Sequence, residues 1–165
     1  MDLRRDFPRS LRERLGGYVH LARMIDKVRA AAAGTQGEYV YPCPLDHRLL
    51  QFAGLGADAV RDAVRGRSDE EILEWFARTA LGHSDREREE WNRTMLTLQP
   101  DSDEKWEYFK KTRDALDPTR TDITTWADLL DLEEKRDVPV RPHQPAPVLR
   151  QNFGARDVRS RPVGP

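Results

Sequence analysis

Cysteine is almost absent from this 165-residue chain. Cys43 stands alone, so no internal disulfide can form, and a single thiol fits a reducing compartment. No apolar run approaches the roughly 20 residues that a membrane-spanning helix needs. The opening residues, MDLRRDFPRSLRERLGG, mix charges and have no apolar centre, unlike a secretory signal. Cytoplasmic placement is the expectation that follows. A glycine-rich phosphate loop is missing too: Gly34-Thr35-Gln36-Gly37 is too short and is not followed by a lysine and a hydroxyl. There is no Cys-x-x-Cys, no His-Glu-x-x-His and no nucleophile elbow. His20, His47, His83 and His143 include no pair at the close helical spacing of metal ligands. Neither a metal nor a cofactor is expected, and no paired nucleophile and base marks a catalytic residue.

The net charge is close to zero, but it is unevenly spread. Residues 138–165 hold five arginines and one aspartate, a net +4, which leaves −5 on residues 1–137 out of an overall −1. A slightly acidic body lacks the basic face that broad nucleic-acid binding requires, so any such contact is expected to be weak and confined to the tail. Six of the eleven prolines also fall in those last 28 residues. Such a stretch buries too little surface to offset its ordering entropy. A helical domain over 1–137 and a disordered or extended Pro/Arg-rich tail over 138–165 are therefore expected. A single domain of this size buries roughly 70% of its unfolded surface and needs no covalent staple.

Helical periodicity dominates what is present. Phe7-Pro8 reads as an extended anchor. Tyr18, Leu21, Ala22, Ile25 and Val28 form a stripe over a helix from about Tyr18 to Ala33, with Gly34 as its C-terminal cap. His20, Arg23 and Lys27 share one flank of that helix, near Asp26, and read as a solvated face or as the polar wall of a cleft. Ser68-Asp69-Glu70-Glu71 and Ser84-Asp85-Arg86-Glu87 are capping boxes, each with a tryptophan seven residues after its serine. Asp101 and Glu104 offer a cap for a sixth helix with the face Trp106, Phe109, Arg113 and Leu116. A seventh begins near Asp122, with Ile123, Trp126, Ala127 and Leu130 inside. The four tryptophans occupy apolar helix positions and read as core. The fold class predicted is all-α, six to seven helices with one short extended segment near residues 37–43.

That segment lies in Thr35–Ala53, TQGEYVYPCPLDHRLLQFA, the stretch richest in candidate chemistry. Tyr39 and Tyr41 share one side if the backbone is extended. Pro42 and Pro44 stiffen what precedes them. Pro44 and Asp46 suit the first turn of a helix whose inner face is Leu45, Leu49 and Phe52. Cys43 just before that helix is either a reactive thiol or a small buried hydrophobe. Glu38 and Asp46 could pair as acid and base, or bond the loop and the helix start. The candidate ligand-binding set is thus His20, Arg23, Lys27, Glu38, Tyr39, Tyr41, Cys43 and Asp46. Its cations point to a small anionic ligand held between residues 20–27 and 37–47, in a binding module or a small enzyme. The competing reading is a protein-interaction module acting through its helical surface and tail.

Three stretches carry a resemblance: DLRRDFPRS (2–10), LGGYVHLARMIDKVRAAAAGTQGEYVYPCPLDHRLLQFAGL (15–55) and DPTRTDITTWADLLDLEE (117–134). Together they resemble the bacterial family called domain of unknown function 5069. The resemblance implies a helical intracellular domain and brings no reaction, cofactor or catalytic residue with it. The tail from Val138 lies outside it.

Overall fold

In the computed structural model, residues 1–140 are described. They form seven helices and no strand: α1 Leu21–Ala32, α2 Pro44–Ala53, α3 Ala57–Val64, α4 Asp69–Thr79, α5 Asp85–Leu96, α6 Asp103–Leu116 and α7 Trp126–Glu133. The expected tail lies outside the described residues from 141 onward. Val138, where it was expected to begin, is buried. No described helix is long and apolar enough to cross a membrane.

The elements start and stop where local chemistry dictates. Ser68 and Ser84 accept the amide N–H groups of Glu71 and Glu87, and each glutamate reaches back to the serine's own N–H. Gly34 takes φ 67° after α1, which lets Thr35 N–H close onto Ala30 O at 2.8 Å. Two caps differ from expectation. Ser102, not Asp101, caps α6, and Asp101 instead accepts from the Lys105 ammonium at 2.6 Å. Helix α7 starts at Trp126 behind a Thr125 cap rather than near Asp122, because Asp122 is drawn to the Arg120 guanidinium at 2.9 Å.

Helix α1 is the hub. Its Leu21, Met24, Ile25 and Val28 pack with Tyr18 against Leu49, Leu50 and Ala53 of α2, Val60 and Val64 of α3, and Ile72 and Phe76 of α4. A second core joins Phe109 of α6 to Ile123, Leu129 of α7 and Val138. All four tryptophans are half-buried at the edges of these clusters. Leu116, expected on the inner face of α6, is exposed, while Phe109 and Arg113 are buried. The N-terminal strap is pinned by Leu3 and Leu11, both buried. Of the expected Phe7-Pro8 anchor, Pro8 is buried and Phe7 is 40% exposed.

Candidate functional site

The polar flank of α1 is not solvated. His20, Arg23, Asp26 and Lys27 are all at or below 3% exposure. The N-terminal strap, the 37–43 loop, α2 and the end of α7 supply the partners of these residues, which therefore face other parts of the protein instead of water. Each is met there by an opposite charge or a hydrogen-bonding group, as buried charges must be.

The first meeting point is Asp46. Its Oδ1 lies 2.8 Å from His20 Nε2, and its Oδ2 accepts from Lys27 Nζ at 2.6 Å and from the Cys43 amide at 2.8 Å. This explains why the inner face of α2 is turned from the one predicted. Asp46, Leu49, Leu50 and Ala53 are buried, whereas Leu45 and Phe52 are only partly so. Burial by itself would raise the Asp46 pKa. The His20 hydrogen bond and the Lys27 charge outweigh it and hold the carboxyl well below the usual carboxylate range. His20 stands in the left-handed region at φ 66°, which costs a non-glycine residue on the order of 1 kcal/mol and places its ring inside the protein. Burial is the main influence that pushes the imidazole below its ordinary pKa, against the pull of Asp46. The ring is therefore neutral, and because an ionised carboxylate only accepts, Nε2 carries the proton. Nδ1 is left as a buried acceptor with no hydrogen-bond partner among the described residues.

Lys27 completes the group. Besides Asp46, its ammonium reaches Cys43 Sγ at 3.1 Å and Val40 O at 3.3 Å. Cys43 is the N-cap of α2 and is half-buried, so neither sequence reading fits it alone. A ring nitrogen of His20, Sγ of Cys43 and an Asp46 oxygen lie within 4.8 Å of one another. No motif spacing announced this donor set, because Cys43 and Asp46 lie together at the start of α2 whereas His20 comes from a separate segment, 26 residues before Asp46.

The second meeting point is Glu134. Arg23 forks onto both its oxygens, at 2.9 and 2.5 Å, Tyr39 donates its hydroxyl to Oε1 at 2.9 Å, and Arg136 pairs with Oε2. The Arg23 guanidinium also lies over the Tyr39 ring, 5.5 Å from its centroid. Burial and then the Glu134 charge raise the Tyr39 pKa, so the phenol keeps its proton. Tyr41 goes elsewhere: its hydroxyl donates to Ala57 O at 2.9 Å, and Arg61 stacks on its ring. The expectation that the two tyrosines share a side therefore fails. The chain turns at Gly37 and Glu38, where Gly37 has φ 58° and a Cβ would fall 2.8 Å from Leu3 O, and Tyr39 N–H closes onto Gln36 O; it bends again at Tyr41 and Pro42. Glu38 is exposed on the same turn and lines a cavity, whereas Asp46 is fully buried and lines none of those described. Of the eight candidate residues, the structure thus unites His20, Lys27, Cys43 and Asp46, joins Arg23 to Tyr39, and sets Glu38 and Tyr41 apart.

Sequence reasoning missed the partners. Arg9 binds Asp26 through two nitrogens, at 3.0 and 2.8 Å, and Asp69 at 2.6 Å. Arg12 bridges Asp128 and Asp131, and Ser10 also donates to Asp131 at 2.7 Å. Arg9, Asp26, Asp128, Asp131 and Glu134 all sit within the three stretches that carry the family resemblance. That was the available signal.

Two open cavities flank this buried framework. The first, about 320 Å³, is walled by Pro44, Leu45, Leu98, Trp126 and Leu130, with Cys43, Arg48, Gln99, Asp101 and Lys105 around it. The second, about 610 Å³, is lined by Leu3, Arg4, Phe7, Glu38, Tyr39, Leu116, Glu133 and Glu134, with Leu130 shared between the two. In the second, burial and then Glu134 raise the pKa of half-buried Glu133.

These features define a seven-helix domain whose first helix is charged inside and neutralised by distant segments. Residues 5–136 match the family model described as a domain of unknown function, DUF5069, and the chain belongs to that family. No curated protein matches the chain.

Proposed function

We propose that this protein is a binding module for a small acid with an apolar body, taken up in the cavity over the N-terminal end of α2. The observation that carries the reading is the make-up of that cavity. Its walls are Pro44, Leu45, Leu98, Trp126 and Leu130, and its charged residues are not equivalent. Lys105 is held by Asp101, whereas Arg48 makes no ion pair among the described residues. An apolar slot with a few polar groups at one end is how small-ligand sites are generally built, and about 320 Å³ is at the small end of their range. Arg48 would fix the acidic head, since a guanidinium receives a carboxylate through two parallel hydrogen bonds. The buried flank of α1 has the opposite character. Lys27 and Arg23 are already neutralised by Asp46 and Glu134, so they have no free charge to offer an anionic ligand. They instead hold the α2 and α7 walls of the cavity in place.

The test is a panel of short-chain and aromatic carboxylates, read by tryptophan fluorescence, to which Trp126 in the cavity wall contributes, and by melting temperature. At least one compound is expected to bind, Arg48→Ala to weaken it by about 10-fold or more, and Leu98→Asp to abolish it. A panel with no hit, or a hit indifferent to Arg48→Ala, would remove the proposal.

A further inference from the structure

We infer that His20, Cys43 and Asp46 form a binding site for a zinc-class divalent ion, in which the Lys27 ammonium holds the ion's place when no metal is bound. Three observations carry this. The donors are of three kinds, an imidazole nitrogen, a thiol sulfur and a carboxylate oxygen, and they lie within 4.8 Å of one another. Such a mixed set selects zinc or cobalt over calcium and magnesium, which take oxygen ligands. A cation already touches two of the three donors: Lys27 Nζ is 2.6 Å from Asp46 Oδ2 and 3.1 Å from Cys43 Sγ. And His20, fully buried, keeps its Nδ1 without a hydrogen-bond partner among the described residues, although buried polar atoms are nearly always bonded.

The exchange is chemically simple. A tetrahedral ion sets nitrogen, oxygen and sulfur donors roughly 3.3–3.6 Å apart. The group must therefore contract at its widest by about 1 Å, and half-buried Cys43 can supply this by turning its side chain. On binding, the Cys43 S–H bond breaks and its proton leaves to solvent, the His20 ring gives up its Nε2 proton and takes one on Nδ1, and the sulfur, an Asp46 oxygen and the freed Nε2 bond the ion. The Lys27–Asp46 contact breaks, and the ammonium keeps the carbonyl of Val40, which it already reaches at 3.3 Å. No oxidant or reductant is involved. Cys43 also lines the small apolar cavity, which gives the ion an entry path. The inference stands apart from the carboxylate-binding reading, since it shares only Cys43 with that cavity and rests on His20, Asp46 and Lys27 and not on Arg48.

The experiment titrates the full chain with Zn²⁺ against a chromophoric chelator and with Co²⁺ by absorption, and follows alkylation of Cys43 by iodoacetamide. One equivalent of Zn²⁺ is expected to bind and to slow alkylation, with EDTA restoring the rate, and Co²⁺ to give a thiolate charge-transfer band. Loss of even an outer partner of a metal ligand lowers affinity roughly 10–100-fold, so Cys43→Ser is expected to weaken binding at least that much. Lys27→Met, by removing the competing cation, is expected to tighten it. Alkylation of the unsubstituted protein needs no variant to fold, and a rate unchanged by Zn²⁺ overturns the inference. Binding that survives Cys43→Ser is adventitious and does the same. Lys27→Met that folds and binds no more tightly refutes the role given to the ammonium.

Discussion

Replacing Asp46 by asparagine would test the buried framework most directly. The carboxylate is wholly enclosed and accepts from His20, from Lys27 and from the Cys43 amide. Asparagine keeps the shape but removes the charge, so the Lys27 ammonium, at 3% exposure, is left inside the protein without its counter-ion. Breaking a buried pair from one side costs about 3–5 kcal/mol. For a domain of this size that corresponds to a melting temperature lower by very roughly 6–20 °C. Urea unfolding at pH 7, followed by the fluorescence of the four tryptophans and by far-ultraviolet circular dichroism, gives the loss directly. The double variant Lys27→Met with Asp46→Asn removes both charges but leaves an amide oxygen to accept in place of the carboxylate, and is expected to recover most of the loss, because the unpaired buried ammonium is gone. A loss below about 1 kcal/mol for Asp46→Asn, the range of exposed pairs, would mean that water reaches the cluster and would refute the argument from burial.

Arg23→Met should be milder, about 1–3 kcal/mol by the same unfolding assay, because Arg136 and Tyr39 still hold Glu134. Glu133 makes a pH prediction. Its folded pKa is raised from 4.5, so the folded state binds more protons, and this contribution is fully present below pH 4.5 and lost as pH rises through the folded value. Glu133→Gln should therefore raise stability at pH 7 and give no advantage below about pH 4.5 in a pH series of urea midpoints. Leu11→Ala empties a fully buried site under the strap and should cost about 2–5 kcal/mol in calorimetry. If Leu11→Ala changes little, the strap is not part of the core.

Much of the architecture was legible in the chain. The two serine–glutamate caps, the glycine after α1, the apolar stripe from Leu21 to Val28 and the proline at the start of α2 all act between residues a few positions apart, and such relations are written in spacing. The all-α class followed from them, as did the nearness of Cys43 and Asp46. Where the reading failed, two short-range options competed, as for Asp101 against Ser102 at the start of α6.

What the sequence could not show is where the charges go. His20, Arg23 and Lys27 have the spacing of an ordinary solvated flank, and nothing local distinguishes them from one. Their fate depends on Asp46, brought in from 26 and 19 residues away, and on Glu134, 111 residues from Arg23. Arg12 and Asp128 are 116 residues apart. Local propensity decides which residues form a helix and which face is apolar. Only the packing of the strap, α2 and α7 around α1 decides that its polar face is buried too, and that decision turns a charged flank into a set of neutralised pairs with three metal-type donors at one end.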